Sequence, residues 1–305
     1  MGKGKSMYSD MVGAIVHEND IKNITHIYKM LLASNAVCKI VSSSKTELGT
    51  GFLISPNLIL TNNHVIPSGT PNDLKVFFES NFSISNGDIK PTTPVIRNVS
   101  FDVFLTDLEL DFTIVAIDQP IDFEFMALGR NNLGKECIVV HYPGVDSKGI
   151  TLDSIKIVGD IPKQISDFCK HNFWYESDTS PGSSGSPLFD SDWKLIGLHH
   201  GILPKYEYAD ADREYKFIKK DDTKVSVKDY YTKVHVRNEE EYVPIVNEGT
   251  KIIDIIDKIV DKIDQTNTKN LKELKAIIEG KPLENYDTLK DTSIAINKIK
   301  KSLII

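Results

Sequence analysis

Cysteine is scarce in this 305-residue chain. Cys38, Cys137 and Cys169 are widely spaced and odd in number, which excludes a disulfide framework and a paired-cysteine metal site and points to a reducing, cytoplasmic setting. Basic charge is not in excess either: 36 lysines and arginines against 43 aspartates and glutamates leave a net charge of -7. Without a basic stripe, nucleic acid is not expected as a partner. No apolar run reaches the ~20 residues of a membrane span, and Met1 to Met7 lead into no signal-peptide core. Met1-Gly2 with Ser6 fits the loose N-myristoylation pattern, for which a flexible tail is the plainer reading. Internal repeats and low-complexity tracts are absent. What is present, 40% hydrophobic residues, suffices for one large or two modest cores.

Residues 1–35 read as a tail and a helix. Ile21, Ile24, Ile27, Leu31 and Leu32 recur at helical spacing behind Asp20 as N-cap, and the helix is expected to pack on the body, with partner binding as the alternative. Short strands follow: Ala36–Val41, Gly51–Ile54, Leu58–Thr61, Val76–Phe78, Val95-Ile96, Val103–Leu105, a run from Asp111 to Ile117, Cys137–His141, Ile155–Val158, Phe173–Tyr175, Pro187–Phe189 and Trp193–His200. So many short strands with so few helices argue for a mostly β fold of two antiparallel barrels within residues 36–265.

Asp178-Thr-Ser-Pro-Gly-Ser-Ser-Gly-Ser-Pro187 is the stretch with chemistry in it. Glycines at 182 and 185 let the chain turn sharply around Ser184, so that the amides of Gly182 and Ser184 can face one small hole while Ser184 serves as nucleophile. A polar surface loop is the bland alternative. A serine needs a base, and His64 stands where a strand hands over to a loop, in Thr61-Asn-Asn-His-Val65. Asp111 opens a buried apolar run and needs a partner there, which His64 can be. Asp107 and Glu109 are close by, and Asp111 is preferred because the apolar run starts directly after it.

The order His64, Asp111, Ser184 resembles the chymotrypsin-like serine peptidases and differs from the α/β-hydrolase order. The hydrolase elbow would need glycine at 186, where serine stands. Gly49-Thr-Gly-Phe-Leu-Ile54, Thr61-Asn-Asn-His-Val65, Tyr142-Pro-Gly144, Asp178-Thr179, Gly182-Ser-Ser-Gly-Ser-Pro187 and Ile196-Gly-Leu-His199 resemble the bacterial glutamyl endopeptidase branch. The resemblance spans about 36–202 and resumes from Asn247 to Ile256. It implies Ser184 as nucleophile, His64 as general base and acid, Asp111 as the residue that orients His64, and Gly182 and Ser184 as oxyanion donors. No cofactor or metal is implied. Trypsin has an aspartate just before the nucleophile to pair with a freed N-terminus; Ser183 stands here, so activation by that ion pair is not expected.

For substrate choice the resemblance pulls two ways. Asp178 matches the trypsin residue that selects lysine or arginine, whereas Thr179 and His199 match the pair that receives an acidic side chain. The reading leans to an acidic or amide side chain, with a satisfied core histidine as the plainer role for His199. His200 makes no metal site, because neighbouring strand residues point to opposite faces. Residues 203–243 form a tyrosine-bearing excursion, read as a lid or a solvated hairpin. Ile252 to Ile263 read as a helix on the second barrel; Leu271–Ile278 and Leu283–Leu303 are further helical patterns in an extension, 266–305, that packs on the body or recruits a regulatory protein partner. The expected activity is cleavage of protein or peptide substrates by a serine endopeptidase, in the setting of a regulated cytosolic effector. The competing reading is a catalytically silent binding module or a subunit of a sensor complex.

Overall fold

Val37, Cys38, Ile40 and Val41 are buried together with Phe52, Leu53 and Ile54, and this alternation of inward apolar side chains along short extended segments generates the fold. A computed structural model describes residues 23–42, 47–68, 73–79, 82–85, 88–91, 93–144, 148–232, 239–264, 274, 275 and 278. After helix α1 (Thr25–Asn35) come β1 (Val37–Ser42), β2 (Glu47–Ser55), β3 (Leu58–Thr61), β4 (Leu74–Phe78), a small hairpin of β5 (Phe82–Ser85) and β6 (Asp88–Pro91), β7 (Val95–Asp107) and β8 (Phe112–Ile117). Strands β1-β2-β3-β8-β7-β4 close into a barrel. The sequence reads two strands at 95–96 and 103–105; they are one long strand with an irregularity between Ser100 and Phe104.

The second half runs β9 (Glu136–His141), β10 (Gly149–Val158), α2 (Lys163–Ser166), β11 (Asn172–Tyr175), β12 (Pro187–Phe189) and β13 (Leu195–Pro204). It continues through β14 (Tyr206–Ala209), β15 (Glu214–Ile218), β16 (Lys224–Ser226), α3 (Val227–Thr232), β17 (Pro244–Lys251) and α4 (Ile252–Asp264). Strands β10-β11-β17-β13-β12-β9 close a second barrel, so the mostly β, double-barrel fold is present. A closed barrel has no free edge to pair with another chain.

Three features depart from the sequence reading. The residue proposed as N-cap of α1, Asp20, lies outside the described residues; the helix starts at Thr25, whose N–H bonds to Asn23 Oδ1 at 3.0 Å. Its apolar face is packed only in part: Ile24 and Ile27 are exposed, whereas Leu31 and Leu32 are half-buried and Ala33 packs against the core. Helix α4 does not serve the second barrel alone: Ile252, Ile255, Ile256, Ile259 and Ile263 join the core that also holds Phe52, Val76 and Phe112 of the first, and Lys258 and Lys262 pair with Asp107 of β7. Of the helical pattern at 271–278, Leu274 is buried in that core and Ile278 packs on it; the pattern at 283–303 lies outside the described residues. The excursion is more than a bare hairpin. Strands β14-β15-β16 form a sheet, and Phe217, Val227, Tyr230 and Tyr242 make an aromatic core with Ile165, Cys169, Trp174 and Leu203.

Candidate active site

Strand β3 ends at Thr61, and β8 beside it begins at Phe112, so the loops after one and before the other meet on one rim. Asn62 fixes their meeting: its Nδ2 donates to Asp111 O at 2.9 Å. Asp111 itself adopts φ 48°, a left-handed conformation that aspartate tolerates better than most residues. From there Oδ1 accepts the His64 backbone N–H at 3.0 Å, and Oδ2 lies 2.7 Å from His64 Nδ1. The side chain of Asp111 is buried while that of His64 remains 29% accessible. Burial pushes the Asp111 carboxyl up, but the charge and hydrogen bond of His64, with His200 close by, outweigh it and hold the group well below the usual range. Asp107 faces elsewhere, accepting the N–H groups of Glu109 and Leu110 and pairing with Lys258 and Lys262; Glu109 is largely exposed.

Ser184 is brought to the same rim through β2. Thr50 N–H donates to Ser184 O at 2.8 Å, Thr50 Oγ1 donates to Gly182 O at 2.7 Å, and Thr61 Oγ1 donates to Thr50 O at 2.7 Å. Gly49 shows how tight the approach is: a Cβ there would lie 2.8 Å from Val65 Cγ2 and 2.9 Å from Ser184 O. The glycine is therefore squeezed between the residue after His64 and the serine itself. Gly182 and Gly185 have φ of +96° and +85°, and a Cβ on Gly185 would drive into Thr50 O and Thr61 Oγ1. Among the described residues the amides of Gly182 and Ser184 donate to no protein acceptor, so both remain available to an incoming oxygen.

The turn is locked from inside the protein. Ser183 is buried, accepts the Ser180 N–H at 3.2 Å and bonds to His141 Nδ1 at 2.9 Å. Burial pushes His141 down to about 4, so it holds the turn as a neutral ring.

Of the residues read as substrate-binding, Asp178 is exposed to solvent. Thr179 Oγ1 donates to Asn247 Oδ1 at 2.6 Å, and Asn247 Nδ2 donates to Ser177 O. His199 is buried with Nδ1 at 2.7 Å from the Tyr175 hydroxyl. Burial, reinforced by His200, His141 and His64, pushes His199 down to about 3, and burial holds the Tyr175 phenol well above 10. His199 and His200 leave β13 on opposite sides: His199 meets Tyr175, whereas His200 faces Asp111 and Glu248.

Several members of this site were not legible as such. His141, Tyr175, Asn247, His200, Glu248, Asn172 and Tyr231 all bond to or beside the named residues, yet each lies many positions away in sequence from its partner. Strand alternation separates His200 from His199, but the register shift between His199 and Gly201 that aims His200 leaves no sequence signal. Among the described residues no group of three or more His, Cys, Asp or Glu is disposed to hold a metal.

With this geometry in hand, residues 49–198 match the trypsin-like peptidase domain. The chain is 32% identical over 284 residues to the uncharacterized protein y4fB of Sinorhizobium fredii, covering 85% of this chain and 41% of that protein. It is 27% identical over 164 residues to the serine protease Rv3671c of Mycobacterium tuberculosis, covering 50% and 36%. To the probable periplasmic serine endoprotease DegP-like of Chlamydia pneumoniae it is 25% identical over 165 residues, covering 53% and 30%. The chain thus spans well under half the length of these relatives. The solved inactive form of the Rv3671c protease has 21% identity and a TM-score of 0.40, covering 59% of this chain and 86% of that one. The domain match and the serine protease relatives support kinship with the trypsin-like serine peptidases; among the described residues no helix is long and apolar enough to cross a membrane.

Proposed function

We propose that the protein is a serine endopeptidase in which Ser184 attacks the peptide carbonyl, His64 moves the proton and Asp111 orients His64. The observation that carries this is the 2.7 Å contact between His64 Nδ1 and Asp111 Oδ2 on the rim to which β2 draws Ser184. Asp111 accepts a hydrogen bond from the Nδ1–H and leaves Nε2 as the base, then stabilises the imidazolium that forms when His64 takes the serine proton. The Gly182 and Ser184 amides receive the developing oxyanion, and their fixed orientation means that little reorganisation is needed as charge appears. His64 then protonates the departing amine, and water hydrolyses the acyl-enzyme by the same route in reverse.

The side chain preceding the scissile bond is a carboxamide in this reading, glutamine or asparagine. Tyr175 stays protonated and donates to His199 Nδ1, so the tautomer assigned to His199 carries its proton on Nε2. A neutral N–H donor is thereby offered. Thr179 spends its own proton on Asn247, which leaves its oxygen as an acceptor. One donor and one acceptor match a carboxamide, whereas a carboxylate would meet no cation and an oxygen with no proton to give. Asp178, exposed, is not placed to reward lysine or arginine from beneath a desolvated pocket. The test is cleavage of a peptide library varied at that residue, with Ser184→Ala as blank. Preference for glutamine or asparagine supports the reading; preference for lysine or arginine hands the pocket to Asp178 and contradicts it.

A further inference from the structure

Beside Asp111 lies a buried polar chain that the proton transfers above do not use. His200 Nδ1 is 3.5 Å from Asp111 Oδ2, the same oxygen that faces His64, and it is buried without a formed hydrogen bond among the described residues. Its Nε2 is 3.1 Å from Asn172 Nδ2 and 3.5 Å from Glu248 Oε2. Glu248 is wholly buried, and its Oε1 accepts Asn172 Nδ2 at 2.9 Å, Trp174 Nε1 at 3.2 Å and the Tyr231 hydroxyl at 2.9 Å. Tyr231 belongs to α3, inside the excursion.

The register of the sheet explains how His200 gets there. In the β13–β17 ladder His199 faces Gly249 and Gly201 faces Glu248, so His200 is the extra residue of a bulge. Bulges re-aim a side chain next to active sites, at the cost of a ladder position. The hydrogen bonds then assign the tautomer: Asn172 has two N–H groups, one for Glu248 and one for His200 Nε2, which makes Nε2 an acceptor and puts the His200 proton on Nδ1, towards Asp111. Apolar side chains would fill this space without the desolvation cost of a buried glutamate and histidine.

We propose that His200 is a positioning residue for Asp111, and that Tyr231 ties the excursion at 203–243 to the His64–Asp111 pair through Glu248, Asn172 and His200. His200 presents its N–H dipole to Asp111 Oδ2 across 3.5 Å, and this buried dipole, held in place by Asn172, opposes a swing of the carboxylate away from His64. Burial and the charge of Glu248 keep the Tyr231 phenol protonated, as a donor must be. Movement of α3 would withdraw that donor and loosen Asp111. The excursion thus acts on the site through this chain rather than by covering it.

This inference rests on the reading of His64 and Asp111 as the catalytic pair, and its test has a readout that needs no turnover. The Nδ1 proton of His64, held against a carboxylate, gives a low-field proton resonance that His64→Ala removes. His200→Leu is expected to move or broaden that resonance in a folded protein, whereas His200→Asn, whose amide nitrogen takes the place of Nδ1, retains it. Tyr231→Phe keeps the ring packing on Phe217 and Tyr230 and deletes only the hydroxyl; it is expected to shift the resonance in the wild-type background and not in His200→Leu. In cleavage assays His200→Leu lowers kcat about tenfold with KM within about twofold, and His200→Asn recovers most of it. An unchanged resonance in folded His200→Leu overturns the positioning role, and a Tyr231→Phe shift of equal size in both backgrounds overturns the coupling. If His200→Leu does not fold, a resonance in Tyr231→Phe unshifted from wild type overturns the coupling, and its loss in His200→Asn overturns the donor role. Absence of wild-type cleavage would count against the peptidase reading alone, because the resonance still decides this one.

Discussion

Asp111 reaches His64 from a left-handed backbone: with φ at 48°, one carboxylate oxygen accepts the His64 N–H at 3.0 Å and the other stands 2.7 Å from Nδ1. Both ends of the carboxylate are thereby committed to one histidine, its main chain and its ring. Asparagine tolerates the same backbone, so Asp111→Asn is expected to fold. Its amide cannot accept at both positions, and the ring falls into the wrong tautomer. The expected outcome is a kcat lower by about 10⁴-fold with an unfolding temperature close to wild type, read by steady-state kinetics and calorimetry.

Gly185 tests whether the serine turn is as tightly bound to the first barrel as the contacts with Thr50 and Thr61 imply. Alanine there must adopt φ +85° and push its Cβ into Thr50 O and Thr61 Oγ1, neither of which can yield without breaking the bond between them. Gly185→Ala is expected to cost about 3 kcal/mol or more in chemical denaturation. Stability within about 0.5 kcal/mol of wild type would mean that the turn is looser than described.

Acid should destabilise the protein well before its carboxylates titrate. His199 and His141 are held down at about 3 and about 4, whereas in the unfolded chain each protonates near the ordinary 6.5. Between those values the unfolded state binds more protons, so stability is full above about 6.5 and falls as pH drops, each ring contributing a slope approaching about 1.4 kcal/mol per pH unit. Asp111, held low, acts in the same direction further down. Denaturant midpoints measured from pH 7.5 to 4.5 should decline, and His141→Asn should flatten the decline.

Tyr175 decides what His199 offers a substrate. Tyr175→Phe removes the hydroxyl 2.7 Å from Nδ1 and frees the ring to exchange tautomers. The ratio of kcat/KM for glutamine against glutamate peptides should fall by about tenfold or more, while the intrinsic rate of Ser184 modification changes little. An unchanged ratio would remove His199 from the pocket.

The two barrels could be read from the sequence because strand signals are local: alternating or continuous apolar runs such as Val37–Val41 and Phe112–Ile117, closed by turn residues, carry their own evidence. His64, Asp111 and Ser184 stood out for a related reason, each sitting where an apolar run meets a polar loop. The supporting groups had no such signature. Glu248 resembles any strand glutamate until Trp174, Asn172 and Tyr231 converge on it, and His141 resembles any strand-end histidine until the barrel closes and sets it against Ser183. The exposure of Ile24 and Ile27 also escaped periodicity, which identifies an apolar face but not what lies opposite it.

The most direct measurement is labelling of the intact protein with a fluorophosphonate, followed by mass spectrometry of the modified peptide. The reagent reacts only with a hydroxyl activated by a base and supported by oxyanion donors. A single adduct on Ser184, absent in Ser184→Ala and strongly slowed in His64→Ala, is the result expected of a serine peptidase built on these residues. No adduct on the folded protein, or equal labelling with and without His64, would contradict it.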